Sequence, residues 1–372
     1  MESTDIRDNL LSIERQLSVQ FINREEELRG LLLALLSKQH VLLLGPPGTA
    51  KTQVAHAWAK SLDMRFFRRL VNQFSTLDEL AGPVDIKAYQ TEGVFRRITT
   101  GKLPQVEIAL LDEVFKGSPS ILNCLLSMME ERIFDNDGVV EQVPLASLVG
   151  ASNELPADDD ALEAFYDRFL LRFHIRYLEE DSDFKNMLYL KPPKGVESVL
   201  LSSEDIALAQ AEVEALAPSG ETIEAVLTLR NALTENEIHV SDRRFKQMLR
   251  VMAADSWLAG FTEILPSSLQ VGEHILWSKP EQIRDVKRVV ILSSDPQASR
   301  AIEIIEAVTE AIGSLGLGEM ESFDQTEAVQ VLSQLSVMKG EIDNMDSNNT
   351  RVRQASELVQ NSRARIMSKM GI

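Results

Sequence analysis

Cysteine is all but absent: Cys124 is the single one in 372 residues. A lone thiol excludes an internal disulfide and any metal site built from several cysteines. That usage fits a reducing compartment. Long apolar runs are missing too. The longest, Leu31 to Leu36, falls far short of the ~18–20 residues a membrane-spanning helix needs. Met1 to Leu10 is polar and acidic with no apolar core, so no secretory signal is expected. Positive charge is scarce: 38 Lys and Arg stand against 57 Asp and Glu, a net charge of −19. Such a chain repels nucleic acid and anionic membranes and leaves only a local basic patch as a route to either. What remains is ordinary for a globular protein, with 44% apolar and 26% charged residues. At roughly 100–200 residues per domain, the length predicts two or three domains. The expectation is a soluble, acidic, cytoplasmic protein with no membrane span.

From Met1 to about Glu180, helical and strand-like segments alternate. Glu25 to Leu36 has the spacing of an amphipathic helix. His40 to Leu44 is a short apolar run stopped by Gly45-Pro46-Pro47-Gly48, the look of a buried parallel strand ending in a loop. Thr52 to Leu62 is helical, and Phe66 to Val71 and Val106 to Leu111 read as strands. Ser120 to Glu131 is helical again, and Leu145 to Ala151 is another buried strand. This alternation argues for a parallel α/β sheet. Two segments interrupt it. Gly82 to Pro104 is rich in turn residues, with strand-like patches at Val84 to Ile86 and Val94 to Ile98. Ile133 to Val143 carries Asn136-Asp137-Gly138 between apolar patches, a hairpin signal. Leu190 to Gly195 holds two prolines and a glycine and reads as a linker. Beyond it, Ser203 to Leu216, Glu221 to Leu233 and Asp242 to Gly260 have helical period, with Ser241 a plausible cap. A degraded heptad follows through Val331, Leu335, Met338, Ile342, Met345, Val352, Val359 and Ile366, interrupted at Asn349, Ser356 and Arg363. It fits helices packed on the chain's own helical region, or a coiled-coil-like arm for a partner.

The strongest motif is Gly45-Pro46-Pro47-Gly48-Thr49-Ala50-Lys51-Thr52, between an apolar strand and a helix. A phosphate-binding loop requires that context. Its glycines let backbone N–H groups curl around a β-phosphate, and the helix N-terminus adds a positive dipole end. Lys51 would reach the β- and γ-phosphates and the Thr52 hydroxyl would bind Mg²⁺. Ala50 stands where Gly usually precedes the lysine. Its methyl is expected to be tolerated through a helical, negative φ. About 60 residues on, Ile108 to Leu111 is a buried strand ending in Asp112-Glu113. In phosphate-loop ATPases the first acid helps hold Mg²⁺ and the second polarises the attacking water. Asn153, at the end of the strand Leu145 to Ala151, is placed to bond the water or the γ-phosphate, although Asn is also a common turn residue. Asp167-Arg168-Phe169 offers an arginine that could complete a neighbouring subunit's site or form a local ion pair; Arg172 competes for that role.

In this order, these residues resemble an AAA+ ATPase, and in detail the MoxR family. Phe74-Ser75-Thr76, Gly82-Pro83, Glu92-Gly93 and Thr99 to Pro104 resemble that family's insert in the second helix. Leu125 to Phe134, Ala151 to Pro156 and Leu162 to Leu171 are similar as well. Val240-Ser241-Asp242-Arg243-Arg244-Phe245 and Ile275-Leu276-Trp277 resemble the RavA subgroup. The likeness spans about Phe21 to Val290. It implies an AAA+ P-loop α/β core over 1–190 with a parallel five-stranded sheet and inserts. A linker over 191–200, an α-helical lid over 201–292 and a helical C-terminal extension over 293–372 would follow. It implies that Asn153 is sensor 1 and Arg168 the arginine finger. Arg243 looks like sensor 2, with Arg244 as the alternative. Phe21 and Ile22 lie where the family packs adenine. It also implies ATP and Mg²⁺, a homo-oligomer that is a hexameric ring, and a partner with a von Willebrand factor A domain.

The function expected is therefore an ATPase that remodels or activates protein clients. A nucleic-acid translocating motor shares the insert, but the −19 charge speaks against it and no nucleic acid is expected as partner. Phe95-Arg96-Arg97 is its nearest basic–aromatic cluster. A chelatase-type metal-insertion motor shares the ATPase core and is the third reading. His40, His56, His174, His239 and His274 lack ligand spacing, so no metal beyond the nucleotide's Mg²⁺ is expected.

Overall fold

A computed structural model describes residues 3–156, 160–190, 200–294, 296–314, 325–345 and 350–370. All but the last residue of the expected linker, and Asn349, lie outside them. The chain forms two compact units, one joining Met1–Thr222 to His239–Gln282 and the other joining Ile223–Ile238 to Ile283–Ile372.

The first unit opens with helix α1 (Ser3–Ser18) and α2 (Glu25–Ser37). α1 is foreshadowed in sequence only by Ile6, Leu10, Ile13 and Leu17, whose spacing of 3 and 4 puts all four in the core. β1 (Val41–Leu44) is buried throughout. Then come α3 (Lys51–Lys60), a short β2 (Leu62–Asp63) and β3 (Phe66–Leu70). The insert holds α4 (Leu77–Ala81) and α5 (Ile86–Glu92), and β4 (Ile108–Asp112) and α6 (Pro119–Glu130) follow. A hairpin of β5 (Ile133–Asn136) and β6 (Val139–Gln142) leads to β7 (Ser147–Ser152). α7 (Asp160–Asp167), β8 (Leu171–His174) and α8 (Asp181–Tyr189) complete the α/β part. A short β9 (Leu201–Ser202) pairs with β2.

Five strands form one parallel sheet in the order β3-β4-β7-β1-β8. Its register aligns the carboxyl ends: Leu44 pairs with Ser152, and Asp112 with Ala151. Ligands of open parallel sheets bind beyond such ends. β8 has no clear signal in sequence because Arg172 breaks its apolar run. The structure buries that arginine almost completely by turning it onto backbone carbonyls of Phe169, Tyr166 and Trp277. His40 anchors the opposite end of the sheet. Its Nδ1 accepts from the Leu148 N–H and its Nε2–H donates to the Met129 carbonyl. Burial pushes its pKa down to about 3, so the ring stays neutral.

The hairpin forms as its Asn-Asp-Gly turn predicts, with Asp137 and Gly138 both at positive φ. The strand-like patches in the insert do not pair as strands. They make a single bridge between Val84 and Arg97, and the chain between them turns into α5. The cause is local: the Asp85 side chain accepts from Lys87 and Ala88 N–H, capping the helix, and Gly93 ends it in the left-handed region. The lid-side helices are α9 (Ser203–Ala215), α10 (Gly220–Glu235) and α11 (Asp242–Leu258), the last capped by Ser241 as expected.

The second unit contains most of α10 with α12 (Ile283–Ser294), α13 (Pro296–Ser314), α14 (Gln325–Ile342) and α15 (Thr350–Met370). The degraded heptad resolves into its core. Val331, Leu335, Ile342, Val352, Val359 and Ile366 bury with Ala301, Ile304 and Val308 of α13. The periodic residues thus serve packing within the chain.

Gly30 of α2 tests the sheet packing. A Cβ there would lie 2.1 Å from the Phe173 ring of β8. Gly30→Ala should cost about 1–3 kcal/mol of stability through overpacking, despite alanine's better helix propensity; urea denaturation measures it.

Candidate nucleotide site

The loop between β1 and α3 is shaped by backbone sterics. A Cβ on Gly45 would sit 2.2 Å from the Ile175 carbonyl oxygen, so the loop's first residue has no room for a side chain. Gly48 takes φ +83. Ala50 departs from the expectation of a helical φ: it caps α3 in the left-handed region, φ 65 and ψ 14. Its methyl is therefore strained by roughly 1–2 kcal/mol, the cost of keeping the loop curled where Gly is usual.

Lys51 is 6% exposed and spends its three N–H donors locally. They reach the carbonyls of Gly45 at 2.6 Å and Pro46 at 2.8 Å, and Asn153 Oδ1 at 2.9 Å. Burial pushes its pKa down, while Asp112 and Glu113 pull it back up. Asn153 Nδ2 donates to Glu113 Oε1. Loop lysine, amide and carboxylate thus form one connected chain. Glu113 sits in the left-handed region, φ 54 and ψ 43, at the turn after β4. Strained residues of this kind cluster at functional sites. Lys116, one 3₁₀ turn on, faces Glu113 Oε2 at 3.1 Å. The Thr52 hydroxyl donates to Asp112 Oδ2 at 3.0 Å. A hydroxyl and a carboxylate oxygen this close are hard donors of the type Mg²⁺ takes when phosphate and water supply the rest. The residues present fit the ion.

Two cavities meet at the loop. One of about 390 Å³ is lined by the loop with Asp112, Glu113, Asn153 and Arg68. A larger one of about 720 Å³ is lined by Phe21, Ile22, Leu178, Phe184, Met187 and Leu190 among others, and is mainly apolar. Gly48, Thr49, Ala50 and Gln53 line both. An aromatic base and a phosphate chain would need such a pair of environments. Arg24 ties the walls together: its Nε donates to the Thr49 carbonyl, its Nη2 to that of Arg176 and its Nη1 to that of Asn23. The Tyr177 hydroxyl donates to the Pro47 carbonyl at 3.1 Å.

Arg168 and Arg243 are brought together, but not here. Both pair with Glu130 at the end of α6, Arg168 with Oε2 and Arg243 with Oε1 at 2.9 Å, and neither lines the phosphate cavity. Their competitors turn inward. Arg172 is 1% exposed, stacked over the Tyr166 ring. Arg244 is 6% exposed, held by Asp167 and the carbonyls of Phe169, Leu170 and Ile275. Arg243 keeps an exposed side chain and Arg168 a partly buried one.

Residues 8–213 match a family model described as the MoxR domain in the MoxR-vWA-beta-propeller ternary systems, and residues 221–290 match an AAA lid domain. The chain belongs to the MoxR family of AAA+ ATPases. Two uncharacterised proteins of Methanocaldococcus jannaschii are each 32% identical, over 91% and 94% of this chain and 90% and 95% of theirs. Chaperone MoxR1 of Mycobacterium tuberculosis is 28% identical over 51% of this chain and 50% of its own. A Cytophaga hutchinsonii structure titled as a candidate ATPase superposes with TM-score 0.61 at 19% identity, over 77% of this chain and 94% of that one. That last likeness speaks for the AAA+ fold alone.

Sequence reasoning missed Glu130, Lys116 and Arg24. Lys116 was within reach as an i+3 partner of Glu113. Glu130 was not, since its partners lie 38 and 113 residues away. Lys51→Ala should weaken ATP binding at least ~100-fold, since charge-assisted hydrogen bonds to phosphate are lost. Unchanged affinity by calorimetry would remove Lys51 from the phosphate site.

Proposed function

We propose that this MoxR protein is an ATP-hydrolysing ring ATPase that remodels or activates protein complexes together with a von Willebrand factor A domain partner. The observation that carries the ATPase part is the chain Lys51–Asn153–Glu113 beside the Thr52–Asp112 pair. In this reading the base packs against Phe21 and Ile22, and the phosphates lie over the loop. Lys51 exchanges the Gly45 and Pro46 carbonyls for phosphate oxygens. Thr52 and Asp112 would hold Mg²⁺, which supplies positive charge against the β- and γ-phosphates. Glu113 takes the proton of the attacking water as its oxygen bonds to the γ-phosphorus, the bond from that phosphorus to the β–γ bridging oxygen breaks and ADP leaves with the electron pair; Asn153 holds the carboxylate in line with Lys51. Phosphate loop, acids and amide come from one subunit.

The oligomer follows from Glu130. Arg168 and Arg243 sit on that carboxylate and do not line their own phosphate cavity, so in this reading either of them meets a phosphate on another subunit. An arginine acting in trans is worth about 10³–10⁵ in rate. We assign that role to Arg168 and place Arg243 beside it as the lid's link to the same interface. A hexamer is the closed ring the AAA+ resemblance implies. The matched family's description supports the von Willebrand factor A partner, and the name of the mycobacterial relative supports a chaperone-like action on protein clients. No helix among the described residues is long and apolar enough to cross a membrane. A cytoplasmic setting agrees with that and with the lone cysteine.

Glu113→Gln should keep ATP affinity and lose hydrolysis by ~10²–10⁴-fold. Used as bait in a lysate of the source organism, it should retain a von Willebrand factor A protein only with ATP. Wild-type turnover would remove Glu113 as the base, and capture of nucleic acid or chelatase subunits instead would overturn the remodeler reading.

A further inference from the structure

β3 carries two arginines, Arg68 and Arg69, and a third directly precedes it. Arg65, just before it, pairs with Glu107 at 2.6 Å, and Arg69 pairs with Glu79 at 2.7 Å. Arg68 makes no ion pair or hydrogen bond among the described residues, in a chain with 57 carboxylates. Its position is fixed by the sheet. Arg68 pairs in register with Leu110 on β4, two residues before Asp112. On a pleated strand it shares a face with Phe66 and Leu70. The Phe66 ring lies 5.8 Å from the His56 ring of α3, so this face looks onto the helix that follows the phosphate loop. The charge of Arg68 also adds to burial in lowering the His56 pKa, which places the guanidinium near α3.

Arg68 lines the smaller cavity with Lys51, Thr52, Asp112, Glu113 and Asn153, and takes no part in the larger, apolar one. A nucleotide with its base in the apolar cavity directs its last phosphate toward Asp112, Glu113 and Arg68. That end is short of positive charge, with one lysine against two carboxylates lining it. An unpaired guanidinium on a rigid strand there is suited to a phosphate oxygen pair.

We propose that Arg68 binds the terminal phosphate of the nucleoside triphosphate held by its own subunit, distinguishing triphosphate from diphosphate. This rests on the nucleotide reading of the loop and adds a cation in cis to the arginine expected in trans. The test is calorimetry of the full chain with Mg²⁺ and either a non-hydrolysable ATP analogue or ADP, on wild type, Arg68→Ala, Arg68→Lys and Arg69→Ala. Arg68→Ala should weaken the analogue about tenfold and leave ADP within about twofold. Arg68→Lys should recover part of the loss, and Arg69→Ala should leave the analogue-to-ADP ratio unchanged. If Arg68→Ala leaves that ratio at the wild-type value, whether both affinities hold or both fall, the proposal is wrong. A wild type that binds neither nucleotide would overturn the nucleotide reading itself; a wild type that binds both confines the failure to Arg68.

Discussion

The side-chain amide of Asn153 joins the two halves of the site. Its oxygen accepts from Lys51 of the phosphate loop, and its nitrogen donates to Glu113 at the end of β4. That is possible because β7, which Asn153 follows, runs between β1 and β4 in the sheet. The loop after β1 and the acids after β4 come from distant parts of the chain, yet each is one strand away from the amide. Parallel register then sets the height: Ser152 stands opposite Leu44, and Ala151 opposite Asp112. A slip of β4 by one residue would turn Asp112 to the opposite face of the sheet.

Stability is given up at this edge. Ala50 and Glu113 both occupy the left-handed region, at φ 65 and 54, where a Cβ costs of order 1–2 kcal/mol. Lys51 is buried against its desolvation cost, offset by three acceptors. The offset comes from β1, β4 and β7, whose apolar residues are almost wholly buried. Arg172 and Arg244 show the same economy on the lid side, where buried guanidiniums bond the carbonyls of Phe169 and Leu170 just before β8 and of Ile275 and Trp277 just after the 3₁₀ helix Pro266–His274. Arg243 and Arg168, left outside that network, share Glu130; Arg243 keeps an exposed side chain and Arg168 a partly buried one.

Much of this was legible in sequence where the chemistry is contiguous. The loop 45–52 and the acids 112–113 each sit within one short segment next to an apolar strand. The hairpin turn at 136–138 and the Ser241 cap are local for the same reason. β8 was hidden because Arg172 looks polar in sequence, and the carbonyls that satisfy it, of Phe169, Tyr166 and the distant Trp277, are set by the fold. The strand-like patches of the insert lost to the stronger local signal of the Asp85 cap. The φ of Ala50 went against expectation because the loop's curl is imposed by its neighbours. Glu130 and Arg68 had no local signature at all; their roles appear only once the sheet sets them beside partners distant in sequence.

The central claim is that the catalytic site is shared between subunits, with Arg168 delivered to a neighbour's phosphate loop. Mixing Arg168→Ala with Lys51→Ala tests it most directly. Each variant alone should be inactive as an ATPase. In a mixed assembly, a Lys51→Ala subunit still supplies Arg168 to an intact loop on its Arg168→Ala neighbour, so hydrolysis should partly return, with a maximum at intermediate ratios. Absence of any recovery at every ratio, with mixed assemblies confirmed by native mass spectrometry, would contradict action in trans.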